Sequence, residues 1–205
     1  MLLELILGCS PREPLVDSAT RDPCPSLAGL ELDRGQDWRV HADSEDLASG
    51  AWTRGVVAGA EPEEVRVGQL ETREGKHVEF EDTRRYRCDA EGLWWTEQEL
   101  RLSIEDGGEV TEGLQRTVWE EPPLLLAAGE IETGDRWEGI ERWVFSVDGE
   151  EDAPHERSYF VEIGARLLVT TPAGTFEVYE WRKGDRVEFL SPGLGPVRDD
   201  DGELL

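Results

Sequence analysis

From Glu64 to Val197, large apolar residues recur at alternate positions with polar or charged residues between them. Val65 and Val67 share one face, as do Val78 and Phe80 after a turn at Glu74-Gly75. Tyr86 and Cys88 follow, then Leu93 and Trp95 beyond Ala90-Glu-Gly92. Leu100, Leu102 and Ile104 alternate with Arg101 and Ser103 and run into Asp106-Gly107-Gly108, a strong hairpin signal. Trp143, Phe145 and Val147 lead to Asp148-Gly149, and Tyr159, Val161 and Ile163 resume after an acidic loop at Glu150 to Pro154. Leu167 and Val169 pair with Phe176 and Val178 across Pro172-Ala-Gly174, and Lys183-Gly-Asp185 turns the chain into Val187 and Phe189. A period of two sends successive side chains to opposite faces of a strand. One dry and one wet face per strand marks an antiparallel sheet, because parallel sheets show continuous apolar runs separated by helices. The pattern predicts a mainly β fold with little helix, built as one large curved antiparallel sheet or half-barrel of about ten strands.

Outside that rhythm the chain divides as follows. Residues 10–30 are rich in Pro, Asp and Ser and read as a tether. Residues 31–198 form a single β domain, in which Leu30 to Val57 places Trp38, Val40, Trp52, Val56 and Val57 between polar turns. Asp43-Ser-Glu-Asp-Leu-Ala48 reads as one short helical turn. Leu124-Leu-Leu-Ala-Ala128 follows Pro122-Pro123 and is too short to cross a membrane; it reads as a buried extended segment or a helical turn. Residues 199–205 read as a solvated acidic tail.

A chain of 205 residues suits one domain. Its net charge of −26 repels phosphate backbones and anionic lipid headgroups, which argues against nucleic acid and against docking through a basic membrane patch. Lys76 and Lys183 are its two lysines, and the remaining cations are Arg. That bias fits either a GC-rich codon preference or a surface kept hydrated in salt.

No apolar run reaches 18 residues. The N-terminus, Met1-Leu-Leu-Glu-Leu-Ile-Leu-Gly-Cys9, resembles the end of a bacterial lipoprotein signal over residues 1–9, with Ile6-Leu7-Gly8-Cys9 as the lipobox-like end and Cys9 as the lipidated residue. It departs from that pattern in lacking a leading cation and in carrying Glu4, as a start placed too far downstream would produce. The alternative is an apolar segment packed on the domain. Cys24, between Pro23 and Pro25, and Cys88, in an alternating strand, are then the pair available for a disulfide in an oxidising compartment. The alternative is one buried and one exposed thiol.

Pro122-Pro-Leu-Leu-Leu-Ala-Ala-Gly-Glu-Ile-Glu-Thr-Gly-Asp-Arg-Trp137, Thr170-Thr-Pro-Ala-Gly-Thr-Phe176 and Ser191-Pro-Gly-Leu-Gly-Pro-Val197 occur in that order, after Tyr86-Arg-Cys-Asp-Ala-Glu-Gly-Leu-Trp94. This arrangement resembles a group of bacterial envelope proteins, many of them lipoproteins, that includes the TapB-like pilus-associated family. The likeness covers roughly Arg84 to Val197, with Thr171 and Leu194 where the family usually has Val. It implies an extracytoplasmic β-sheet domain akin to the half-barrel of lipoprotein carriers such as LolA. It implies no catalytic residue.

Candidate chemistry is sparse. His41, His77 and His155 are scattered, and there is no nucleophile elbow, phosphate loop, His-Glu-x-x-His or zinc spacing. Glu150-Glu-Asp152 and Asp199-Asp-Asp201 lack the spacing of a calcium loop, so neither metal nor cofactor is expected. Of Trp94-Trp95, alternation sends one ring inward. Trp95, Trp143 and Trp181 are the candidate ligand-facing aromatics on a concave sheet face. The expected function is a non-enzymatic envelope lipoprotein, outer-membrane or periplasmic, that binds a protein partner or supports assembly. The alternatives are a carrier of a hydrophobic ligand, with an apolar cavity of several hundred Å³, and a carboxylate-based hydrolase.

Overall fold

The computed structural model describes residues 36–40, 46–57, 61–127, 132–192, 194–200 and 202–205. Every regular element among them is a β-strand. In chain order these are β1 (Gln36–Val40), β2 (Leu47–Val57), β3 (Glu63–Thr72), β4 (His77–Cys88), β5 (Gly92–Asp106), β6 (Glu109–Glu121) and β7 (Leu124–Ala127). There follow β8 (Arg136–Val147), β9 (Glu150–Glu151), β10 (His155–Thr171), β11 (Gly174–Lys183), β12 (Arg186–Ser191), β13 (Gly195–Asp199) and β14 (Gly202–Leu204).

The sheet closes on itself. Antiparallel neighbours run β1-β2-β3-β4-β5-β6-β8-β10-β11-β12-β13-β14, and β14 returns to β1 through Trp38↔Leu204. The ring holds twelve strands where about ten in an open sheet or half-barrel were expected. Closure depends on the length of β10, which pairs with β8 over His155–Glu162 and with β11 over Val161–Thr171. Closing a sheet removes the unpaired edges that an open one exposes. Two short strands stand off the ring: β9 folds back to pair with the end of β8, and β7 pairs with β5.

The turn chemistry follows the sequence. Gly107 and Gly108 take φ of 61° and 91° between the paired residues Asp106 and Glu109, the geometry that a two-residue hairpin loop requires. The expected helical turn over residues 43–48 is absent from its described part, since β2 begins at Leu47. The segment 124–127 is extended. Gly202–Leu204, within the expected acidic tail, is a barrel strand, and Leu204 is buried against Trp38.

One face assignment is reversed. On β3 it is Glu64 and Arg66 that point inward and are buried, while Val67 is 48% exposed on the outer wall. Alternation fixes which residues share a face but not which face is dry. Here an opposite charge on β2 lets the charged set occupy the interior.

The interior is layered. Reading along β2, Trp52 belongs to one apolar cluster, Arg54 is buried and charged, and Val56 belongs to a second cluster. Reading along β4, Phe80 packs on the first cluster, Asp82 is buried and charged, and Tyr86 joins the second. The first cluster centres on Trp38, Trp52, Val178, Val197 and Leu204, with Trp38 and Trp52 stacked at 5.8 Å. The second centres on Tyr86, Leu93, Leu126, Val161, Ile163 and Trp181. A belt of ion pairs separates them.

Candidate functional site

The belt is built on adjacent strands. Arg54 on β2 donates from Nε to Glu64 Oε1 and from Nη2 to Glu64 Oε2, both at 3.0 Å, and from Nη1 to Gln36 Oε1 at 3.3 Å. Arg66 Nε donates to the same Glu64 Oε1 at 2.6 Å, and its Nη1 lies 3.5 Å from Asp199. Tyr86 Oη donates to Glu64 Oε2 at 3.2 Å. Alongside, Arg84 pairs with Asp82 at 2.7 Å and Gln98 donates to the other Asp82 oxygen at 2.8 Å.

Burial alone pushes the Glu64 carboxyl up, but Arg54, Arg66 and Arg84 outweigh it and hold the group well below its ordinary range. Burial, with the Glu64 charge added, raises the Tyr86 phenol. The belt is therefore ionised at Glu64 and neutral at Tyr86. Glu141 on β8 forms a second buried centre, accepting from Arg157 Nε at 2.6 Å and Lys183 Nζ at 2.8 Å. Burial opposes its charge; the two cations outweigh that and keep its carboxyl below the usual value.

Above the belt a strap crosses the barrel. β7 pairs with the start of β5 through Gly92↔Ala127 and Leu93↔Leu126. Its backbone is held by side chains from the opposite wall. Trp137 Nε1 donates to the Leu124 carbonyl at 2.7 Å, Trp181 Nε1 donates to the Leu125 carbonyl at 2.8 Å, and the Leu124 N–H donates to Tyr159 Oη at 2.9 Å. These bonds supply the partners that a short strand with one neighbour lacks.

Under the strap lies a cavity of about 180 Å³. Trp95, Trp181, Leu125 and Leu126 line it together with Arg54, Glu64 and other charged groups of the belt. A more open recess of about 410 Å³ lies on the other side of Arg66 and Arg84, over Trp52, Leu70 and Phe80. A broad concavity of about 1040 Å³ runs over the outer wall of β1 to β6.

The sequence-derived candidates separate accordingly. Trp95 and Trp181 face the same interior cavity. Trp95 also packs on Trp119 at 4.5 Å, and Arg84 sits over its ring. Trp143 is not a lining residue of that cavity; it stacks on His155 at 5.3 Å with Arg157 over it. Trp94, the opposite-facing member of its pair, is fixed by its indole N–H to Asp89 at 3.0 Å. Cys88, half-buried on β4, takes part in a disulfide bond. Cys24 and Cys9 lie outside the described residues. Among the described residues no group of three or more His, Cys, Asp or Glu is placed to hold a metal ion.

The belt residues Arg54, Glu64, Arg66 and Asp82 escaped the sequence reading. The available signal was opposite charges at alternate positions, Glu64 and Arg66 on one strand and Asp82 and Arg84 on the next, sharing their face with Val78, Phe80 and Tyr86. No protein-family model matches the chain, and neither a curated protein nor a solved structure shows significant similarity to it.

Proposed function

We propose that this chain is a non-enzymatic bacterial envelope lipoprotein, anchored through Cys9, whose barrel is a binding or assembly module for a protein partner. The observation that carries the reading is a lumen crossed by charge and backbone. The Arg54–Glu64–Arg66 belt and the β7 strap divide it into small compartments, which favours recognition on the outer wall. The lipobox-like start and the 10–30 tether support a surface-held module. The resemblance of its motif order to TapB-like envelope proteins is in keeping with that reading.

The wall itself is not a lipid surface. A membrane barrel needs an apolar outer band of roughly 25 Å. Here the mid-wall row Thr53–Val67–Glu81–Arg101–Leu114 places opposite charges in the middle of it.

The test is labelling with radioactive palmitate in a bacterial host, using the gene extended to an upstream in-frame leader, with Cys9→Ala beside it. Label that disappears in Cys9→Ala supports the anchor; an unlabelled parent removes it.

The carrier reading retains two favourable observations, the cavity bearing Trp95 and Trp181 and the recess over Trp52, Leu70 and Phe80. The first, at about 180 Å³, is smaller than the roughly 300–1,000 Å³ of ordinary ligand pockets; the second, at about 410 Å³, falls within that range; both are walled partly by charged groups of the belt. Native mass spectrometry after expression decides this alternative: co-purified lipid favours it, and bare protein mass disfavours it. The hydrolase reading has no such support, because Glu64 and Glu141 are held as anions by paired cations and neither is poised as a proton donor.

A further inference from the structure

We infer that the groove on the outer wall of β1 to β6 takes an extended, cationic protein segment that also carries apolar residues. This rests on the binding-module reading and adds the chemistry of the partner.

Two cross-strand rows make the groove. One runs Asp37–Thr53–Val67–Glu81–Arg101–Leu114, the other Ala51–Gln69–Glu79–Ser103–Glu112, each residue lying opposite the next on the neighbouring strand. All of these residues line one concavity of about 1040 Å³. Its apolar contacts are open to solvent: Val67 is 48% exposed, Leu114 36% and Leu205 46%. They stand along the groove with charged residues between them, so an occupant must carry apolar and charged side chains alike.

Charge selects the occupant. Asp37, Glu79, Glu81, Glu112 and Asp148 line the groove, and among the described residues Arg101 is the one cation that lines it. Arg101 is already engaged, with Nε and Nη2 at 3.0 and 2.8 Å from Glu99 Oε1. Carboxylates interspersed with exposed apolar residues, on a chain of net charge −26, favour Lys and Arg and repel an acidic segment. The chain's own residues 1–35 carry more acidic than basic groups, so they are electrostatically poor occupants.

Six neighbouring strands at about 4.8 Å spacing span roughly 25 Å, which an extended segment covers with about eight residues at 3.3 Å each.

The experiment uses the full chain and a fluorescein-labelled eight-residue peptide alternating Arg with Val and Leu, read by anisotropy at low and at physiological salt. The same peptide with Glu for Arg is the control. The expected result is binding of the Arg peptide alone, weakened by salt, and weakened at least tenfold by the triple change Glu79→Gln, Glu81→Gln, Glu112→Gln. A second triple change on the β8–β10 connection, Glu150→Gln, Glu151→Gln, Asp152→Asn, removes equal charge and leaves the affinity within twofold. All six side chains are solvent-facing, so thermal melts of both variants match the parent. Equal weakening by both triples, or no difference between the peptides, overturns the assignment and reduces the effect to net charge. Since the palmitate test does not involve the groove, a labelled Cys9 with no peptide binding separates a wrong groove from a wrong envelope reading.

Discussion

Arg54 and Glu64 form a two-bonded ion pair across β2 and β3 with side chains 1% and 3% exposed, and Arg66 shares the same carboxylate. A buried pair costs desolvation and returns it through mutual attraction, so the loss of one member is worse than the loss of both. Glu64→Gln leaves two guanidiniums facing a neutral amide in the lumen and is expected to cost about 3–5 kcal/mol. The double change Arg54→Met, Glu64→Leu is expected to cost less than the sum of its single changes by at least about 1 kcal/mol. Urea unfolding of the four proteins in the cycle measures this. Additive values would show that the pair does not hold the barrel together.

Acid should act through the same carboxylate. Glu64 sits well below its ordinary value of 4.5 in the folded chain. A depressed carboxylate contributes stability that is complete above the unfolded value and drains away as pH falls from there through the folded one. The rest of the surface acts oppositely, since protonation relieves the self-repulsion of a strongly negative chain. The difference between parent and Glu64→Gln isolates the belt. Melting temperatures of the two are expected to lie furthest apart above about pH 4.5 and to converge in more acid solution. A gap that stays constant with pH would contradict it.

The strap offers a local test. Trp137→Phe keeps an aromatic ring, though a smaller one, and removes the donor to the half-buried Leu124 carbonyl. The expected loss is about 1–3 kcal/mol. Its signature is regional: amide exchange at Leu126 and Trp95, whose N–H bonds to the Pro123 carbonyl, should quicken more than at Val178 in the other core cluster. Uniform quickening would mean that Trp137 supports the whole barrel and not the strap.

Much of this was legible in the chain. Period-two alternation identifies the strands, and Asp106-Gly-Gly108 and Lys183-Gly-Asp185 mark hairpins that form as expected. The motif order also has a physical basis. Trp137, the last residue of the Gly-Asp-x-Trp stretch, holds Leu124 of the leucine-rich approach, and Ala173 in the Pro-Ala-Gly turn donates its N–H to the Leu204 carbonyl at 3.4 Å. Closure was not legible, because it depends on β10 pairing on both sides and on β14 meeting β1 from the opposite end of the chain. The belt was hidden because a charged residue at an alternate position looks identical whether it meets water or an opposite charge.

Glycines give a paired prediction about where the backbone is crowded. A Cβ on Gly92 would lie 2.0 Å from the Leu126 carbonyl oxygen, at φ of +144°. Gly92→Ala therefore forces β7 away from β5, adding displacement to a conformational cost of about 1–3 kcal/mol. A Cβ on Gly113 meets nothing within 4 Å. Gly113→Ala should be neutral or stabilise by up to about 1 kcal/mol, since alanine loses less backbone freedom on folding. Thermal melts compare the two; equal effects would remove the steric account of the strap crossing.

Cys88 is held in a disulfide bond. It sits on β4 opposite Leu93, beside the core cluster that includes Tyr86 and Leu126. The pairing expected from the sequence is Cys24–Cys88, with Cys9 left for lipid. That bridge closes a loop of more than sixty residues and should contribute about 3–5 kcal/mol in the chain-entropy picture. Non-reducing peptide mapping of the protein secreted into an oxidising compartment is expected to recover a Cys24–Cys88 peptide. Cys24→Ser should lower stability by as much as reduction of the parent does, while Cys9→Ser should leave it unchanged. Recovery of a Cys9–Cys88 peptide would take Cys9 away from lipidation and break the anchor proposal, because one sulfur cannot serve both bonds.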